Sequence, residues 1–160
     1  MNSPQDVNPF YELAEVLISQ GRYEEAIDLI AQEALNPASS QVAKLHFLTG
    51  QKAQENEQPE AAAEYYVRAL EIDPYYVEAL HRLAELRTEQ QHYDEALELF
   101  QRLVDLDPSG AVAHGNIGVV LFYLGRSDEA LQHFDQALSL DPTIENVRAN
   151  REAVLKAMEA

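Results

Sequence analysis

Five histidines, His46, His81, His92, His114 and His133, and 28 carboxylate side chains are the groups in this sequence that could hold a metal ion or move a proton. A protein metal centre takes at least three side-chain ligands, and a helix offers them at spacings of three or four residues. No two of these histidines stand at such a spacing, and no third ligand is evident beside any pair. There is no cysteine, which excludes disulfides, thiolate nucleophiles and cysteine–zinc sites. A G-x-S-x-G turn, a glycine-rich phosphate loop and an H-E-x-x-H helix are all missing. The carboxylates fall in segments such as "RYEEA" and "YDEA", at outward positions of amphipathic helices. Acidic groups there also complement the positive end of a helix. The sequence therefore predicts no catalytic residue, no metal and no cofactor.

The charge balance narrows the partners. The chain of 160 residues has a formal net charge of −17, with 28 acidic against 11 basic residues. Such a surface repels nucleic acid phosphates and anionic lipid and favours a basic partner. Apolar residues make up 46% of the sequence, enough for one domain with a sizeable core. "MNSPQDVNPF" has neither a basic start nor an apolar run, and no stretch approaches the ~20 apolar residues of a membrane span. The expectation is a cytoplasmic protein with no membrane contact.

The elements that position these groups repeat. Pro74, Pro108 and Pro142 each follow an aspartate and an apolar residue, and they lie 34 residues apart in both intervals. Ala62, Ala96 and Ala130 recur with them, followed four residues later by Tyr66, Phe100 and Phe134. Spacings of three and four describe one face of a helix. The first half of each unit is helical too, with Ile117, Leu121 and Leu124 in the last one. Gly118 inside that run costs about 1 kcal/mol relative to alanine, which close approach of a second helix would compensate. The equivalent sites hold Gly50, Ala84 and Ala14, all small. Each unit thus reads as a tight helical hairpin. Gly125 and Gly21 fall between the two helices of a unit, where a left-handed residue ends a helix. Glu57 and Gln91 stand there in the other two units, so their turns are expected to be less ideal, with Asn56 taking the left-handed role in one of them. Residues 143–160 form a last helix, with Ile144, Val147, Val154, Leu155 and Met158 towards the core.

This helical unit resembles the tetratricopeptide repeat. The resemblance rests on Ile117, Gly118, Gly125, Ala130, Phe134, Ala137 and Pro142 in the fourth copy. In the third it rests on Leu80, Leu83, Ala84, Tyr93, Ala96, Phe100 and Pro108. The leading tryptophan position holds Phe10, His46, Leu80 and His114, and Thr49 and Arg87 replace an expected leucine and aromatic, which predicts looser packing there. The resemblance implies one all-α domain over 1–160, a right-handed solenoid. Its four helix–turn–helix repeats would span about 8–40, 43–76, 77–110 and 111–142, with a capping helix at about 143–158.

It further implies a concave groove lined by the first helix of each unit, which holds a peptide or partner helix. Spacing assigns to that groove Tyr11, Glu15, Phe47, Gln51, His81, Arg82, Glu85, Val112, Asn116, Val119 and Phe122, with Gly115 leaving room among the last of these. The function implied is protein–protein interaction, as an adaptor, scaffold or co-chaperone, for a partner with basic and apolar residues. One subclass of the family captures carboxylate-terminated tails with lysine, arginine and asparagine. Counted from the first repeat, its positions hold Tyr11, Glu15, Leu48, Glu78 and Arg82, of which the arginine alone agrees; counts from the second and third repeats agree at none and at one, so that subclass is rejected. Val16 and Ile18 on the strongly apolar first helix are candidate contacts for a second copy. Alternatives are therefore a self-assembling scaffold, or a chaperone for exported or assembling subunits.

Overall fold

The computed structural model describes residues 9–22, 25, 26, 28, 29, 32 and 40–159, with backbone only for Tyr11, Ser40 and Gln41. Helices α1 Pro9–Ser19, α2 Ser40–Glu55, α3 Pro59–Ile72 and α4 Val77–Glu89 are followed by α5 Tyr93–Leu106, α6 Ala111–Tyr123, α7 Ser127–Leu140 and α8 Glu145–Met158. Residues 25, 26, 28, 29 and 32 are helical as well, and no strand occurs among the described residues. The chain forms two compact units, Met1–Ala79 and Leu80–Ala160, whose division falls within α4.

Each Asp–Pro pair ends a helix. Asp73, Asp107 and Asp141 follow α3, α5 and α7 with extended backbone, as the residue before proline prefers. Their N–H groups still bond back to Ala69, Leu103 and Ala137. The aspartate side chain then turns the corner. Oδ1 of Asp107 accepts from the Ser109 N–H at 3.0 Å and from its hydroxyl at 2.6 Å. Asp141 does the same with Thr143, at 2.8 and 2.6 Å. These bonds hold both carboxyls below the usual aspartate range, because they stabilise the ionised form.

In the first unit, α2 packs against α1 and α3. Ala14, Leu17, Ile18, Ala26, Val42 and Leu45 form a buried cluster, with Leu29, Leu48 and Ile72 against it. Thr49, expected to loosen this region, is fully buried, and its hydroxyl donates to the Leu45 carbonyl at 2.8 Å. Burial therefore leaves no unsatisfied polar atom on that side chain.

In the second unit, α6 is covered by α5, α7 and α8. That enclosure explains its sequence, "AVAHGNIGVVLFY", which is apolar on nearly every side. The small residues do what their spacing predicts. A Cβ placed on Gly118 would lie 2.6–2.9 Å from the Phe134 ring, and one on Gly50 2.6 Å from Tyr66. Tyr66, Phe100 and Phe134 are all buried at the equivalent place. In the capping helix, Val147 and Val154 are buried, whereas Leu155 and Met158 are exposed, contrary to the expectation for those two. One apolar stripe of α8 is enough to cover its neighbours.

At the turns, Gly21 and Gly125 are left-handed, as their positions imply. Glu57 and Gln91 are left-handed too, at φ 58° and 63°. Asn56 does not take that role; the turn keeps its position and forces whichever residue stands there. For a side chain with a Cβ this conformation costs roughly 1 kcal/mol. Glu57→Gly and Gln91→Gly should each raise the melting temperature by about 2–4 °C, as read by circular dichroism.

Candidate functional site

Helix α6 carries no Asp, Glu, Lys or Arg in a chain of net charge −17. Val112, Asn116, Val119 and Tyr123 recur at intervals of four, three and four, which places them on one face. Val112 and Tyr123 are 55% and 58% exposed, and Asn116, Val119 and Phe122 are half-buried. The Phe122 ring lies 6.1 Å from Tyr123. Tyr123 in turn stacks on Tyr93 at the start of α5, with centroids 5.0 Å apart and planes 8° from parallel. This leaves an aromatic and aliphatic strip along α6. Gly115 does not leave room in it, as the spacing had suggested. A Cβ there would meet Val147 Cγ2 at 2.7 Å, so that space belongs to α8.

On α4, His81 and Arg82 converge on one carboxylate. Glu85 Oε2 lies 3.4 Å from His81 Nδ1 and 3.3 Å from Arg82 Nη1. The histidine hydrogen bond lowers the Glu85 pKa, against the opposing effect of burial. The His81 ring also meets Phe100 edge-on at 6.2 Å. The three groups therefore hold one another, leaving a nearly neutral polar cluster.

The first unit's predicted residues separate. Glu15 is exposed and lies 3.6 Å from Lys44. Gln51 is half-buried, and the Tyr11 side chain lies outside the described residues. Phe47 does not face the surface. It is 8% exposed, with its ring 5.7 Å from Tyr66 and 5.1 Å from Tyr76. Ile18 is 5% exposed within the buried cluster and so does not face a second copy, while Val16 is 48% exposed. Spacing did not separate these two, because α1 has apolar residues on more than one side.

Two features escaped the sequence reading. A cavity of about 590 Å³ lies between α5 and α7, over Ile117 and Leu121 of α6. Glu98, Arg102, Glu129 and His133 stand at its sides. It is bordered by the second helices of two hairpins, not by the first helices to which spacing assigns the groove. The other feature is a contact between His114 and His133, whose Nδ1 atoms are 3.2 Å apart. Among the described residues no group of three or more histidine or carboxylate side chains is placed to hold a metal ion. No described helix is long and apolar enough to cross a membrane.

Comparison with known proteins returns no match among curated sequences. Among solved structures the chain is similar to MamA AMB-1, with 25% identity and a TM-score of 0.70 over 94% of this chain and 81% of that one. It is also similar to MamA MSR-1, with 24% identity and a TM-score of 0.68 over 94% and 85%. A third is the first repeat domain of Spaghetti (RPAP3), solved bound to the HSP90 peptide SRMEEVD. It has 20% identity and a TM-score of 0.71 over 78% of this chain and 99% of that one. At 20–25% identity the likeness is one of fold. Residues 11–77 and 75–143 each match a family model for the tetratricopeptide repeat, and with these hairpins the chain belongs to the tetratricopeptide repeat family.

Proposed function

We propose that this protein is a non-catalytic protein–protein interaction module that seats a peptide or partner helix on the face of its first helices. The observation that carries this reading is the strip along α6. Val112, Val119, Phe122 and Tyr123 offer apolar contact on a chain whose charge is −17. Exposed apolar clusters of this kind mark contact surfaces, and the acidity favours a partner with basic residues around an apolar anchor. In the second unit Asn116 and the His81–Arg82–Glu85 cluster supply polar contacts beside that strip. A carboxylate-terminated tail suits this chain poorly as a partner. Glu78 would repel it, and Arg82, the one matching position of the first register, is already engaged by Glu85.

The test is partner capture from the native organism by immobilised wild type and by a Val119→Ala, Phe122→Ala double variant. Truncating a central aromatic anchor costs at least ~1–2 kcal/mol, so specific capture should fall by about tenfold or more while the helical circular dichroism is retained. Equal capture by a folded double variant would remove α6 as the anchor.

A further inference from the structure

His114 in α6 and His133 in α7 meet inside the fourth hairpin. His114 is 8% exposed. Its Nε2 lies 3.3 Å from the Pro108 carbonyl oxygen, and its Nδ1 lies 3.2 Å from His133 Nδ1. A carbonyl can only accept, so His114 Nε2 carries a proton and the Nδ1 of the neutral ring is bare. A nitrogen pair at that distance needs one proton between the two atoms, which His133 Nδ1 therefore donates. The ring centroids are 5.4 Å apart and the planes 34° from parallel, so the rings meet nitrogen to nitrogen and not face to face.

We propose that this pair is an acid-released latch: one shared proton ties α6 to α7, and a second protonation of the pair opens the fourth hairpin. The first added proton has only His133 Nε2 to go to, and it leaves the N–H to N bond intact. The second must take His114 Nδ1. It removes the acceptor and sets two imidazolium rings against each other in a largely buried place, where both burial and like charge oppose ionisation.

The surrounding charges do little to rescue that state. Glu129, one turn before His133, favours its charged form but is bound by Arg126 at 2.6 Å. From α5, Glu98 and Arg102 border the same cavity with opposite signs. Asp107, next to Pro108, is occupied by Ser109, and Asp135 is bound by Arg151 of α8 at 2.6 Å. Burial is the largest effect on His133 and lowers its pKa, against Glu129, which raises it. The unfolded chain takes up protons near pH 6.5, the ordinary histidine value. His133 in the folded chain resists them, so its contribution is full above that pH and is lost as pH falls below it.

Thirty-four residues earlier the same two positions hold Leu80 and Leu99, both buried and neither titratable. In the second hairpin they hold His46 and Tyr65, whose rings stack at 6.4 Å. The shared proton thus belongs to the fourth hairpin.

Imidazole nitrogen shifts of the full chain at pH 7.5 test the bond itself. His114 should show the Nε2–H tautomer and His133 the Nδ1–H tautomer; both rings in the Nε2–H form would overturn the proposal. Amide exchange, corrected for intrinsic rate, tests the latch. Between pH 7.5 and 5.0 the amides of α7 should lose about tenfold or more of their protection relative to those of α5, tenfold being ~1.4 kcal/mol. A His114→Leu, His133→Leu variant, built like Leu80 and Leu99, should abolish that selective loss. Equal loss in α5 and α7, or its persistence in the variant, would also overturn the proposal. If the double variant does not fold, the wild-type shifts and the α7-to-α5 ratio decide alone.

Discussion

Phe134→Ala should lower the melting temperature by roughly 10 °C. Its ring is 1% exposed and lies directly on Gly118, so truncation removes a fully buried aromatic and leaves a cavity between α6 and α7. Such changes cost about 3–5 kcal/mol, and each kcal/mol moves the transition of a chain this long by about 2–4 °C. The sharper expectation concerns the glycine. In the wild type, Gly118→Ala should destabilise, because its Cβ would stand 2.6–2.9 Å from three atoms of the ring. Once Phe134 is alanine the clash is gone, and the same substitution should stabilise by about 1 kcal/mol through helix propensity. The sign must therefore invert between the two backgrounds in a double-mutant cycle read by thermal or urea unfolding. The third hairpin has Ala84 and Phe100 at the equivalent positions, which shows that the sequence can also solve this contact with a Cβ present. A stabilising Gly118→Ala in the wild type would mean that the fourth hairpin can open to that spacing freely.

Gly115→Val should undock α8. The space beside Gly115 is already taken by Val147 Cγ2 at 2.7 Å, and valine is too stiff on either side to yield. Displacing the helix exposes Val147 and Val154, which are 3% and 2% exposed in the folded chain. Each buried valine is worth about 1.5–3 kcal/mol, more than an isolated helix of this length can recover from its own backbone. Limited proteolysis should then cut within 145–158 at least tenfold faster, a factor set by ~1.4 kcal/mol of lost docking, while α6 and α7 stay resistant. An unchanged cleavage rate would show that α8 is held elsewhere.

The parts of this molecule legible from the sequence are those fixed by the chain's own period. Pro74, Pro108 and Pro142 end equivalent helices, and Gly50 and Gly118 lie under rings as their spacing requires. The surface was less legible because a helix in such an array is touched from several directions. Period gives the stripe that faces its hairpin partner. It does not say which second stripe meets the next helix, and so Phe47 and Ile18 were assigned to surfaces although both are buried. Gly115 misled for the same reason: small size signalled space, but a side chain from α8 fills it. The His114–His133 contact was missed because search at helical spacings finds pairs on one helix, and these two lie on facing helices. Glu57 and Gln91 show the reverse limit, since the backbone there follows the turn and not the residue's preference.

The Asp–Pro corners have one more implication, for how such a chain grows. Asp107 bonds to Ser109, the Gly110 N–H returns to the Asp107 carbonyl at 3.0 Å, and Tyr76 does the same with Asp73 at 3.2 Å. The aspartate and main-chain bonds that turn the chain lie within four residues of the bend, and the side chains that reach these corners, His114 to Pro108 and Arg148 to Pro142, come from the next helix only six residues on, so each corner is a local seam. An in-frame duplication of 34 codons that starts and stops at two such seams recreates a working seam at both new joints. The length of the molecule is then open to change by recombination, in steps of one hairpin, without any new turn having to be invented.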